Sequence, residues 1–141
     1  ITAYGIDPSV PIWKQASQIK CTEVVSMSCT STTHDFRQLA YNGCFSWNHE
    51  QTWVADFSRD QWKYLGRGSD SRKITGYTFA GEYVHQISVG QKTIDFWPTG
   101  ISSLGVFDAT MRFSRIEWGD SRNPIGAATD IRLFNCIVQQ K

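Results

Sequence analysis

The sequence FDATMRFS at positions 107–114 decides the fold class. In it, four apolar side chains alternate with four polar ones. Successive side chains of a strand point to opposite faces of a sheet, so this alternation predicts a strand with one buried face and one face in water. The parity changes after Ser114, where we expect a bulge at Ser114 and Arg115, and the strand continues to Trp118.

The same kind of pattern predicts strands on both sides of this segment, whereas the only helical signal is one turn at 13–17, after Pro11. Gly-containing turns at 80–82 and 90–92 join neighbouring strands. We therefore predict an all-β fold, a single-domain β-sandwich or closed β-barrel of about 7–9 short antiparallel strands. The other predicted strands are 19–28, 53–57, 73–79, 83–89, 93–97 and 129–138.

Two other all-β architectures stay open. Trp13, Trp53 and Trp97 are spaced by 40 and 44 residues, which is the kind of interval that a three-fold β-trefoil repeat produces. The run ATDIRLFNC at 128–136 is similar to the strand ending in cysteine that recurs in vitelline membrane outer layer proteins, which are β-prisms. That resemblance covers nine of the 141 residues and implies a β-prism alternative, but no function.

The length of 141 residues predicts one domain, 1–141, with its own hydrophobic core. The 14 Lys and Arg residues nearly balance the 13 Asp and Glu residues. A near-neutral chain lacks the electrostatic footprint of a nucleic-acid-binding protein, so nucleic acid is not an expected partner. Because no run of roughly 18 apolar residues is present, no transmembrane segment is expected either.

The four cysteines indicate two disulfides and a secreted, extracellular protein. They lack the closely spaced pairs of a structural zinc site, so no metal site is predicted. Four cysteines allow three pairings. We prefer Cys29 with Cys44 and Cys21 with Cys136, a pairing that would pin the two ends of the domain together.

Recognition residues concentrate between positions 44 and 64, where three tryptophans are interleaved with amide, acidic and imidazole side chains. Rings give contact area and planar polar groups give orientation, a combination that suits sugar binding. We therefore predict a secreted, non-catalytic, lectin-like domain whose partner is a glycan or a host surface protein. The predicted ligand-binding residues are Trp47, Asn48, His49, Glu50, Trp53, Asp56 and Trp62, with Gln51 as a further hydrogen-bonding candidate.

Two other functions stay open. A secreted effector or toxin acting on a host protein or a membrane surface would expose an apolar or aromatic patch without a pocket. A small secreted hydrolase would need His34 or His49 to meet an acid such as Glu50 in one cleft. The chain has no nucleophile or phosphate-binding motif, so we predict neither a catalytic residue nor a cofactor.

Overall fold

Antiparallel strands build most of the computed structural model, which describes residues 6–34, 39–68, 70–81, 84–102, 105–118 and 124–139. The predicted all-β class is confirmed. One helical turn, α1 (Ile12–Gln15), precedes the strands, close to where the sequence predicts it. Among the described residues, no helix is long and apolar enough to cross a membrane. The strands are β1 (Gln18–His34), β2 (Leu39–Trp47), β3 (Thr52–Asp56), β4 (Gln61–Tyr64), β5 (Ser71–Lys73), β6 (Gly76–Phe79), β7 (His85–Val89), β8 (Lys92–Trp97), β9 (Val106–Trp118) and β10 (Pro124–Gln139).

These strands form one curled sheet in the order β5-β4-β3-β1-β10-β9-β8-β7-β6, and β2 pairs with the far end of β1 beyond β3. The two end strands, β5 and β6, are separated in the chain only by Ile74 and Thr75. The sheet must therefore curl until its edges approach. Backbone hydrogen bonds from Ile74 N to Asp60 O (2.7 Å) and from Thr75 N to Ser88 O (2.8 Å) hold this connection. The choice among closed barrel, sandwich, trefoil and prism stays a prediction.

The hydrophobic core lies on the inner face of the curl. In β9 the alternation predicted from the sequence is observed, since Phe107, Ala109 and Met111 are all buried. Each fully buried large apolar side chain contributes about 1.5–3 kcal/mol relative to an exposed one, so the core rests chiefly on a few rings and branched chains. The largest of these are Trp62, Phe96, Phe107, Phe134, Ile12, Ile19, Ile87 and Ile94.

Two disulfides fasten β1 to its neighbours, and the pairing that we preferred from the sequence is confirmed. Cys21 and Cys136 lie directly opposite each other on β1 and β10, and both are buried in the core. Cys29 and Cys44 lie directly opposite each other on β1 and β2, where Cys44 is exposed. The first bond closes a sequence separation of 115 residues and the second one of 15.

The bulge predicted at Ser114 and Arg115 is wrong, because β9 and β10 keep a continuous register through those positions. Among the β9 side chains whose burial the structure describes, 106–114, Met111 is the last buried one and Phe113 is only half-buried. The change of apolar parity in the sequence is therefore not accompanied by an extra residue in the strand, because β10 stays paired one-to-one across it. The register shift of the long β1–β10 pair lies instead between Glu23 and Val25.

Candidate functional site

Three ring side chains form an aromatic row (Phe45, Trp47 and His49) at the end of β2. The ring centroids of Phe45 and Trp47 are 5.4 Å apart, and those of Trp47 and His49 are 5.7 Å apart. Phe45 is 58% exposed, Trp47 is half-buried and His49 is exposed. Because the residues alternate along the chain, the row presents contiguous ring surface to solvent on one side of the strand.

Small and charged residues of the next two strands continue this surface. Ser26 and Ser28 of β1 lie directly opposite Trp47 and Phe45, and Arg132 of β10 lies opposite Ser26. Directly opposite residues of antiparallel strands share a face, so the row, the two serines and Arg132 lie on the inner face. Both serines are buried, so two small hydroxyl side chains lie between the aromatic row and Arg132.

A buried acid, Glu23, holds the end of the aromatic row in place. Its side chain is 3% exposed, and its Oε2 accepts hydrogen bonds from the backbone N–H groups of His49 (3.2 Å) and Gln51 (3.4 Å). Gln51 Oε1 in turn accepts a hydrogen bond of 2.9 Å from Arg132 Nη1. Glu23 was not among the residues predicted from the sequence, although it shares the parity of the buried residues Ile19 and Cys21 and could have been recognised as a buried acid on that ground.

Asn48 and Glu50 form the exposed turn between β2 and β3. Asn48 Oδ1 accepts a hydrogen bond of 2.8 Å from the backbone N–H of Glu50, as aspartate and asparagine side chains commonly do in turns. Glu50 has φ +52°, a left-handed conformation that is uncommon for residues other than glycine. The turn therefore keeps four of the predicted ligand residues, at 47–50, together at the end of the aromatic row.

Trp53 and Trp62 lie in the core, 7% and 1% exposed. Their rings are stacked on each other with centroids 5.5 Å apart and an angle of 9° between the planes, and Trp62 meets Phe134 edge-on at 5.9 Å. In this arrangement neither tryptophan presents an exposed ring face to a ligand. Packing of this kind is frequent for tryptophan, whose large ring supplies much of the burial in a small core.

Asp56 lies on the opposite face of β3 from Trp53 and is committed to a local network. Its carboxylate accepts hydrogen bonds from Ser58, from Lys63 Nζ (3.2 Å) and from Gln18 Nε2 (3.3 Å). Burial on its own would raise the pKa of Asp56, but the hydrogen bonds from Ser58 and Lys63 and the charge of Lys63 bring that pKa below its ordinary value. The residue therefore stabilises the β3–β4 turn, away from the aromatic row.

Polar atoms without a hydrogen-bond partner are concentrated around Glu23. Glu23 lies opposite Phe134, against which Trp62 packs. Buried polar atoms are normally satisfied, so atoms that the described residues leave unpaired are candidates for hydrogen bonds to ordered water. In this region the buried atoms without a hydrogen-bond partner are Glu23 Oε1, Ser26 Oγ, Trp47 Nε1, Trp53 Nε1 and Trp62 Nε1.

In the described parts of the chain, no three His, Cys, Asp or Glu side chains are grouped so that they could hold a metal ion. The chain matches no protein-family model, no curated protein and no solved structure. Its function is therefore argued from the geometry of the site, which is the proper basis even where a fold is familiar.

Proposed function

We propose that this chain is a secreted, non-catalytic recognition domain that binds carbohydrate along the aromatic row. One observation carries the proposal: the exposed ring of Phe45 contacts Trp47 in a row that ends beside the hydrogen-bonded pair Gln51 and Arg132. The CH faces of a sugar pack on aromatic rings, while amide and guanidinium groups bond its hydroxyls in fixed directions.

Two unpaired polar atoms beside the aromatic row favour a hydroxyl-rich ligand. Ser26 Oγ and Glu23 Oε1 are buried and have no partner among the described residues, so they add a donor and two acceptors beneath the row. A polar ligand gains most where it satisfies groups that are already desolvated.

Secretion is part of the proposal, and the two disulfides support it. Disulfides persist in oxidising compartments and are rare in the reducing cytosol. No free cysteine is present among the described residues.

The geometry of the acidic and basic groups favours binding over catalysis. One carboxylate oxygen of Glu23 is occupied by two backbone N–H groups, and the His49 ring stands at 64° to Trp47 within the aromatic row. The hydrolase alternative also invokes His34, whose side chain lies outside the described residues. General acid–base catalysis requires a side chain positioned to transfer a proton to or from the reacting group, and the Glu23 oxygen that faces His49 is instead taken up by backbone N–H groups.

The test is a glycan array followed by calorimetric titration of the best-binding glycan. Phe45→Ala and Trp47→Ala should each weaken binding by about tenfold or more, because each removes a stacking surface. Trp97→Ala is the matched control, since Trp97 is also an exposed tryptophan (39%) but lies on β8, opposite Asp108 on the outer face. Glycan binding that is unchanged in both row variants, or lost equally in the control, would contradict the proposal.

A second candidate function is an effector that acts on a host protein or membrane surface, and one observation favours it. On the outer face, Val25 and Met27 of β1 are 36% and 37% exposed, and the register places Leu133 and Ile131 beside them. Exposed apolar patches of this kind often mark interaction sites.

Liposome sedimentation separates this second function from carbohydrate binding. If the apolar patch binds membranes, the wild-type protein will co-sediment with anionic liposomes. The double substitution Val25→Thr and Met27→Gln will then abolish sedimentation without changing glycan binding. Absence of the wild-type protein from the liposome pellet would count against a membrane target.

A further inference from the structure

A second feature of the inner face lies where the two edges of the curled sheet approach each other. A cavity of about 410 Å³ is lined there by Arg72, Val89, Gln91, Lys92 and Phe113. Arg72 belongs to the edge strand β5, whereas the other four lie on β7, β8, β9 and the turn at 90–91. Two cations from distant parts of the sheet therefore share one cavity.

The cavity lies on the same face as the aromatic row. Phe113 lies opposite both Lys92 and Asp130. Asp130 lies opposite Ser28, which lies opposite Phe45. One row of positions thus crosses five neighbouring strands from Phe45 to Lys92, a path of about 19 Å at the usual spacing of about 4.8 Å between strands. An oligosaccharide lying across the strands would contact both ends of this path.

Lys92 is a half-buried cation whose Nζ has no hydrogen-bond or ion-pair partner among the described residues. Burial and the nearby charges of Arg72 and Arg132 lower the pKa of Lys92, and Asp70 and Asp130 oppose that effect only in part. Arg72 pairs with Asp70 through Nε (3.3 Å). Its two terminal nitrogens have no partner in the described part of the chain. Both cations are thus available to an incoming anion.

We infer that the carbohydrate bound along the aromatic row is acidic, and that one of its carboxylate or sulfate groups binds between Arg72 and Lys92. This inference rests on the proposed function. An anion at this point would offset the mutual repulsion of the cations and accept charge-assisted hydrogen bonds from both. The apolar side chains of Val89 and Phe113 line the same cavity and reduce its contact with water, which strengthens the interaction.

The experiment compares matched acidic and neutral ligands. Galacturonate oligomers are titrated beside their methyl esters, and sulfated chondroitin oligosaccharides beside their desulfated forms, so that the two sources of negative charge are distinguished. The variants are Lys92→Gln and Arg72→Gln, with Lys73→Gln as control. Lys73 follows Arg72 on β5 and points to the other face of the strand, so the control removes the same charge from outside the cavity.

We expect one acidic series to bind, its neutral counterpart to bind about tenfold or more weakly, and both cavity variants to lose that preference while the Lys73 control keeps it. Raising the ionic strength should weaken binding of the acidic ligand but not of the neutral one. Equal binding of acidic and neutral ligands, or an acidic preference that survives both cavity substitutions, would overturn the inference.

A parallel titration with inorganic sulfate separates this inference from the carbohydrate proposal. The backbone amide signals of residues 91 and 92 should shift in the wild type and in Lys73→Gln, but not in Lys92→Gln. If sulfate binds in this way and no glycan does, the anion site stands and the carbohydrate proposal fails. If neutral glycans bind along the row while sulfate shifts nothing, the carbohydrate proposal stands and the acidic-ligand inference fails.

Discussion

Removing the buried disulfide should destabilise the domain more than removing the exposed one. Cys21–Cys136 closes a separation of 115 residues and Cys29–Cys44 one of 15. In the chain-entropy model the first bond contributes about 5 kcal/mol at 25 °C and the second about 3 kcal/mol, since the constraint on the unfolded chain grows with the logarithm of loop length. The difference between the two losses of stability increases further because Cys21 and Cys136 are also part of the core, so replacing them removes buried contacts.

The assay is thermal and urea unfolding of two double variants, Cys21→Ala with Cys136→Ala, and Cys29→Ala with Cys44→Ala. An unfolding entropy of about 2.1 cal/mol/K per residue gives about 0.3 kcal/mol/K for this chain, so we expect Tm to fall by about 16 °C in the first variant and about 10 °C in the second. If the second variant lost as much stability as the first, the reasoning from loop length would be refuted.

Three further predictions concern residues that stabilise the fold and are not expected to contact the ligand. Trp62→Ala should cost about 3–5 kcal/mol in urea unfolding, because it empties a fully buried site, whereas Trp97→Ala should cost far less. Asp56→Asn should lower the free energy of unfolding by about 1–3 kcal/mol at pH 7. Because the pKa of Asp56 is lowered in the folded state, this loss relative to wild type should have its full size above pH of about 4 and become smaller below it. Urea unfolding at a series of pH values measures it. His85→Leu should cost about 2–4 kcal/mol by the same assay, because it leaves the N–H of Ile12 and the carbonyl of Pro8 without their buried partner. A Trp62 variant as stable as wild type, an Asp56 effect independent of pH, or a silent His85 substitution would each contradict the corresponding contact.

Alternation within single strands could be read from the sequence, because it depends only on residues next to one another in the chain. The buried face of β9 was predicted in this way. The cysteine pairing was preferred on a different ground, that it would pin the two ends of the domain together, and the structure confirms it. The strand β2 was missed because its sequence, LAYNGCFSW, interrupts its apolar residues with Asn42 and Gly43 and lacks regular alternation. It forms because the far end of β1 extends beyond β3 and leaves an edge on which β2 can pair.

The candidate site was predictable only where its residues are close in sequence. Residues 47–51 were identified because rings and polar groups alternate there, and the structure places them together. Glu23 and Arg132 reach the site through strand pairing across the fold, which local composition does not encode. Trp53 and Trp62 have neighbours as polar as those of Trp47, and only the packing of β3 against β4 determines that their rings are buried.

The most direct test of carbohydrate binding along the aromatic row is to follow the indole N–H signals of the six tryptophans by NMR while titrating the glycan that binds best on the array. We expect the Trp47 signal to shift progressively, because its ring belongs to the row, and the Trp97 signal on the outer face to stay in place. A titration in which Trp97 shifts while Trp47 does not, or an array on which no glycan binds, would contradict the account.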